Sequence, residues 1–331
     1  PYARHTDMEF LMHFLAGAPL EENGQTGMGI QTVYSRPINE DFTLSQGGDA
    51  EDTDGFLKQS QGFGFSSFPS GKQYDYEVTA LLLAGFITGD YALTPATTLS
   101  AGTRYEYLEY DYDNQMIDGN TAEDGSICVN GFTGAIGCRY TRPSDSVDDF
   151  DNWSLNGSVS HQLSETNSIV LRLAHGFRAP QATEMYRLQN GQTSANLDSE
   201  EINSIELGFR GGAENINYSL TSFFMKKTNV IFQSSDRLNL ADGQTEHYGL
   251  EYDLNWQINS QWDINIAGTY ARHRYTADVT TPGPGSAQIF STDGNDVDTA
   301  PKHMASARLG WHPTDDTRVE LEWLSMGKYY T

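Results

Sequence analysis

The sequence predicts an all-β chain, a transmembrane antiparallel up-and-down β-barrel, from three observations. Apolar and polar side chains alternate strictly, the alternating runs are longer than globular strands, and short connections alternate with long ones. Successive side chains of a strand point to opposite faces, so alternation gives one greasy and one wet surface. Leu250, Tyr252, Leu254, Trp256 and Ile258 lie on one such face, with Glu251, Asp253, Asn255 and Gln257 on the other. After a turn the pattern restarts, with Trp262, Ile264, Ile266 and Tyr270 opposite Asp263, Asn265 and Thr269. These two runs form a long hairpin.

The same grammar recurs along the chain. Ile205, Leu207 and Phe209 alternate with Glu206 and Arg210, and Val319, Leu321 and Trp323 with Glu320 and Glu322. Trp153, Leu155 and Val159 open another strand, Ile169, Leu171 and Leu173 the next, and Tyr105 and Tyr107 alternate with Arg104 and Glu106. Such runs amount to roughly a dozen strands, many of about ten residues or more, against about five or six in ordinary domains. Short links fall at residues 37–41, 93–97, 164–167, 211–215, 259–261 and 313–316. Long polar loops fall between them at 10–25, 60–73, 114–149, 180–199, 234–243 and 277–301. In a meander every second connection lies at the same end, so one end carries tight turns and the other large loops. A soluble sandwich would bury its apolar faces against each other and would not segregate loop lengths. A barrel in lipid accounts for all three observations, because backbone groups in hydrocarbon must all be paired and the sheet must close. Tyr270, Tyr275, Trp262, Trp311 and Trp323, near strand ends, suit interfacial girdles.

Composition narrows the function classes. The 331 residues carry 45 acidic and 20 basic side chains, a formal charge of −25, which argues against nucleic acid as a partner. The 37% hydrophobic share and the longest apolar stretch, Val78 to Ile87, are too small for a helical membrane protein, whose spans need about 18 residues. Aromatics at 12% argue against disorder. Cys128 and Cys138 share one Gly/Asn-rich stretch whose spacing matches neither a zinc pair nor a redox CxxC. A short loop closed by a disulfide in an oxidising compartment fits them, the alternative being two free buried thiols.

The run His175-Gly176-Phe177-Arg178-Ala179-Pro180 with the residues to Arg187 resembles the "GFRAP…E-Y" strand end of the TonB-dependent outer-membrane receptors. Asn196-Leu197-Asp198-Ser199-Glu200 is similar to that family's "NLKPE", with Asp198 and Ser199 replacing Lys and Pro. Tyr218 to Phe224 and Gly249-Leu250-Glu251 continue the resemblance, which covers nearly the whole chain. It implies about 13 strands of a 22-stranded barrel that encloses a plug. The plug with its TonB box, the first strands and the closing strands are expected outside residues 1–331, leaving one barrel segment. The tight turns would then be periplasmic, and the long loops and both cysteines extracellular.

No enzymatic motif appears: there is no GxSxG, HExxH, P-loop or GxGxxG, and no cofactor is expected. Glu251 with Asp253, and Glu320 with Glu322, resemble acid pairs but read as the hydrated lining of a lumen. The stretch Asp293-Gly294-Asn295-Asp296-Val297-Asp298 carries oxygen ligands of the kind calcium prefers, without EF-hand spacing, and reads first as an acidic loop tip. His13, His247, His273 and His303 lie near strand ends or in loops, without paired spacing. Arg178 either meets an anionic ligand or pairs with lumen carboxylates. Tyr186, Arg187, Arg274 and Tyr275 add the aromatic and cationic character that a ferric siderophore would favour.

The resemblance implies an outer-membrane importer of a scarce nutrient, foremost a ferric siderophore or other iron complex. The ligand would be bound by extracellular loops and passed through the lumen with energy from TonB–ExbB–ExbD. Outer-membrane lipid and lipopolysaccharide would surround the wall. Cobalamin, haem or an oligosaccharide are alternative cargoes, and a passive porin or a soluble β-sandwich binding protein are alternatives of another class.

Overall fold

Each alternating run forms a strand, and the strands pair in the order in which they occur. The computed structural model describes residues 1–331 except 16, 65, 234–237, 284–285, 291 and 331. Its strands are β1 (Tyr2–Leu11), β2 (Leu20–Pro37), β3 (Phe42–Gln61), β4 (Gly71–Thr94), β5 (Thr97–Asn114), β6 (Tyr140–Thr141), β7 (Ser146–Gln162) and β8 (Ser168–Arg178). After the short helix α1 (Ala182–Tyr186) come β9 (Leu188–Gln189), β10 (Glu200–Ala213), β11 (Ile216–Gln233), β12 (Asn239–Asn259) and β13 (Trp262–Tyr275). The last are β14 (Val279–Gly283), β15 (Ser286–Phe290), β16 (His303–Thr314) and β17 (Thr317–Met326).

Thirteen strands make one antiparallel meander, β1-β2-β3-β4-β5-β7-β8-β10-β11-β12-β13-β16-β17, while β14–β15 and β6–β9 are separate two-stranded ladders. The short links all fall at one end, as expected. At the other end the strands run further than the alternation indicated. Strand β1 continues to Leu11 and β2 begins at Leu20, so half of the expected loop 10–25 is strand. The stretch 114–149 contains β6 and the start of β7, and 277–301 contains the β14–β15 hairpin. Strand β4 has 24 residues, whereas about 9–11 tilted residues cross a bilayer. The surplus rises above the membrane, where both faces are wet and the apolar period vanishes. Parts of the expected loops 234–243 and 277–301 lie outside the described residues.

Register aligns the apolar faces into rows. Leu99, Val159, Leu171 and Leu207 stand opposite one another across β5, β7, β8 and β10. On the same face Leu155, Leu173, Ile205, Leu250 and Leu321 are all exposed, an arrangement suited to lipid and not to water. Trp262 and Trp311 stack at 5.8 Å beside the tight turns, as girdle residues do. Tyr275 is a correction to the girdle: alternation from Tyr270 puts it on the inner face, where its hydroxyl donates to Asp298 Oδ1 at 2.9 Å. The inner face carries ion pairs, among them Arg104 with Asp49 (2.5 Å) and with Glu106 (3.0 Å). Glu320 and Glu322 belong to this lining, paired with Arg318 (2.7 Å) and Arg308 (2.8 Å). From Val78 to Ile87 strand β4 is apolar on both faces, and its inward Phe86 lies over Gly47, where a Cβ would come within 2.6 Å of the ring. None of the helices among the described residues is long and apolar enough to cross a membrane, and the strands do the crossing.

Candidate functional site

The buried core of the molecule lies at the loop end. Tyr74, Tyr76 and Tyr112, on the inner-face extensions of β4 and β5, meet Tyr140, Met185, Tyr186, Leu188, Ala195 and Leu197 from two long loops. Tyr112 and Tyr186 stack with ring centroids 4.2 Å apart, and the Tyr74 hydroxyl donates to the Leu188 carbonyl at 2.5 Å. The β6–β9 ladder joins the loops directly, with Tyr140 opposite Gln189 and Thr141 opposite Leu188. Residues 115–145 and 179–199 thus fold as one cap.

Buried polar groups hold this cap in shape. Arg142 is 3% exposed and has carbonyls where a carboxylate would be usual. It donates to Ile117 O (2.7 Å), Thr121 O (2.8 Å) and Thr121 Oγ1 (2.9 Å). Burial pulls its guanidinium below the usual arginine value, so these acceptors are what keep the charge tolerable. Asn120 Nδ2 donates to Cys138 O (2.9 Å) and Tyr140 O (2.7 Å). Cys128 and Cys138 form a disulfide, closing a finger of the same loop as expected for an extracellular segment.

The residues singled out in the sequence divide into two places. Arg178 ends β8 and is fully engaged with carboxylates: Nη1 and Nη2 meet the Glu184 carboxylate (2.9 and 3.1 Å) and Nε meets Glu200 (2.9 Å). Of its two expected roles, ion pairing is the one the geometry displays. Glu184 also accepts the Gln181 backbone N–H at 2.7 Å, so one carboxylate ties the strand end to the start of α1. Tyr186 is 2% exposed, and its hydroxyl donates to Asp148 Oδ2 at 2.7 Å. Burial and that bond push its phenol above the ordinary tyrosine value. Arg187 pairs with Glu21 at 2.9 Å and lies 5.8 Å from the Tyr74 ring. Unlike Tyr186 it borders open space: a cavity of about 440 Å³ lined by Thr6, Glu21, Asn23, Gln25, Thr183 and Arg187 over a Leu57 and Val78 floor.

Arg274 and Tyr275 are adjacent on β13, so their side chains leave opposite faces, and only Tyr275 looks inward. Asp296 and Asp298 of the acidic stretch 293–298, read first as a loop tip, are engaged separately. Asp296 pairs with Lys302 at 2.7 Å, and Asp298 accepts the Tyr275 hydroxyl. Among the described residues no group of three or more His, Cys, Asp or Glu converges on a metal position. Sequence reasoning missed Glu21, Asp148 and Glu200 as partners of the singled-out residues, since no spacing links Glu21 to Arg187. It also missed the contact between His247 and His273, whose Nδ1 atoms are 2.8 Å apart.

This chain is similar to curated receptors at low identity. It is 22% identical over 263 residues to the ferric aerobactin receptor of Klebsiella pneumoniae, covering 74% of this chain and 33% of that protein. It is 21% identical over 230 residues to the rhizobactin receptor of Rhizobium meliloti (strain 1021), covering 65% of this chain and 30% of that protein. The chain therefore spans about a third of the length of these relatives. Among solved structures, the siderophore receptor PiuA from Acinetobacter baumannii superimposes with a TM-score of 0.69 at 13% identity, over 95% of this chain and 47% of that one. The ferric yersiniabactin uptake receptor FyuA from Yersinia pestis gives 0.65 at 14%, over 97% and 45%. At such identities the structures speak to fold alone. The family model described as "TonB dependent receptor-like, beta-barrel" matches residues 10–331, and the chain belongs to that family of outer-membrane β-barrel receptors.

Proposed function

We propose that this chain forms barrel wall and extracellular cap of an active importer, not an enzyme, that captures a ferric siderophore or related iron complex. The ligand is bound at the loop end and passes through the lumen. The observation that carries this reading is the one-ended architecture. Every large connection lies at one end, and two of them pack into a cap beside an inward cavity that Arg187 borders. The relatives' printed ligands, ferric aerobactin and rhizobactin, support iron complexes as the cargo class. In this reading Arg187 and Tyr275 touch ligand, Arg178 and Tyr186 hold the cap in shape, and outward Arg274 faces lipopolysaccharide. A plug outside residues 1–331 engages TonB, which ExbB and ExbD energise, and ligand binding shifts the receptor toward the state TonB pulls on.

Cells expressing the full receptor are expected to accumulate radiolabelled iron supplied as a siderophore complex, and to stop when TonB is deleted. Uptake that continues without TonB would make the barrel a passive pore and overturn the reading.

A further inference from the structure

We propose that His247, His273 and Met225 form a copper-binding site on the inner wall of the barrel, a site independent of the iron-complex reading. The three residues occupy one cross-strand row. Met225 on β11 is the register partner of His247 on β12, which in turn is the partner of His273 on β13. All three are half-buried and lie on the inner face, since each is an odd number of positions from the outward Phe224, Leu250 and Tyr270.

The two imidazoles meet nitrogen to nitrogen, as a hydrogen-bonded pair whose shared proton a metal can replace. The Nδ1 atoms face each other at 2.8 Å, and His247 Nε2 lies 2.9 Å from the Thr245 hydroxyl. When Nε2–H donates to Thr245 Oγ1, His247 Nδ1 is a bare lone pair and His273 Nδ1–H points at it. Moving that one proton to His273 Nε2, a change of tautomer, leaves both Nδ1 lone pairs bare, and a rotation of each ring turns them from the N···N line toward a shared metal position beside it. Thr245 then acts as the orienting partner that metal-binding histidines usually have. Nitrogens bound at about 2.0 Å and at right angles stand about 2.8 Å apart, whereas a tetrahedral pair stands about 3.3 Å apart. The observed separation fits a tetragonal ion such as Cu(II) or Ni(II) better than zinc. The thioether of Met225 in the same row adds a soft donor, which favours copper. Lys227, in the adjoining row, is tied to Glu200 at 3.6 Å, so its charge is partly compensated.

The test uses the full-length receptor, purified in detergent without an affinity tag and titrated with Cu(II). Electron paramagnetic resonance is expected to show nitrogen splitting from two imidazoles. His247→Ala and His273→Ala should each weaken binding by at least about tenfold, the lower end of what losing even an orienting partner costs. Thr245→Val should weaken it by about tenfold, and Met225→Leu should weaken binding of Cu(I), supplied anaerobically by ascorbate reduction and read by competition with a Cu(I) chelator, while leaving Cu(II) nearly unchanged. Heat-modifiable migration of each variant checks that the barrel has folded. The proposal is overturned if the folded His247→Ala/His273→Ala double variant binds copper as the wild type does, or if wild-type copper shows no imidazole nitrogen.

Discussion

The strand wall and the loop cap solve opposite solvation problems with the same chain. In the wall, large apolar side chains such as Leu173 and Leu207 are exposed, and the polar ones point inward as ion pairs. In the cap, a cluster rich in tyrosine is buried against the inner face, and Arg142 is enclosed with carbonyl partners, while the disulfide finger exposes large apolar side chains such as Phe132 and Ile136. The wall needs only alternation and register, because lipid accepts any apolar side chain of suitable size. The cap sits in water and has to build a core, so it depends on particular contacts such as the Tyr112–Tyr186 stack and the β6–β9 ladder. The wall is therefore specified by pattern and the cap by individual residues.

The largest expected effect breaks the cap alone. Tyr186→Ala removes a buried ring and one of the two donors to Asp148 Oδ2, Ser146 Oγ remaining at 2.8 Å, at a cost of about 3–5 kcal/mol to the local stability of the loops. Hydrogen exchange should speed up in residues 115–145 and 179–199 while the β7, β8 and β10 amides stay protected. Equal loss in those strands would mean that cap and wall unfold together. A slightly smaller effect probes the wall. Leu173→Arg places a charge on the outward face and should cost about 2–4 kcal/mol in urea unfolding from lipid vesicles. Inward Ser204→Arg should cost under about 1 kcal/mol, because a wet lumen hydrates the charge. Similar costs for both would refute the assignment of faces.

The smallest effect is one of pH. Ser144 Oγ and Asn114 Nδ2 donate to Asp118 at 2.7 and 2.8 Å and hold its carboxyl below the ordinary aspartate value of 3.8. Asp124 is lowered in the same loop by hydrogen bonds from Ser126. A depressed carboxyl stabilises the fold fully above its unfolded value and loses that contribution as pH falls through the folded one. Brief exposure to pH below 3.8 should therefore raise proteolytic nicking within residues 115–139, and Asp118→Asn should flatten the response. A profile unchanged by that variant would remove Asp118 from the account.

The contrast also explains what could be read from the sequence. Alternation in Leu250 to Ile258 and in Trp262 to Tyr270 gave faces and pairing, because the bilayer imposes a period of two on any strand that crosses it. The period fades where strands leave the membrane. Glu21, Glu22, Asn23, Gly24 and Gln25 look like loop in sequence, yet they belong to β2. Within the site, the charge excess made ion pairing one of two readings for Arg178, and the structure supplies Glu184 and Glu200. Tyr186 was legible as an aromatic beside a cation, but its burial was not, since an aromatic is equally at home in a core and on a binding surface. Arg187–Glu21 was invisible because the folding of the loop after β8 brings Arg187 to β2, and His247–His273 because register pairs residues far apart in the chain.

The meander has a consequence for how the wall is made. Each long strand hydrogen-bonds to the next long strand in the chain, so pairing partners are close in sequence and loop-closure entropy stays small at every step. Growth can proceed hairpin by hairpin in the order of synthesis, with the tight turns acting as folding hinges. The cap comes last, because its aromatic cluster draws on β4, β5 and the connection after β8 at once and cannot assemble until the strands between them stand side by side.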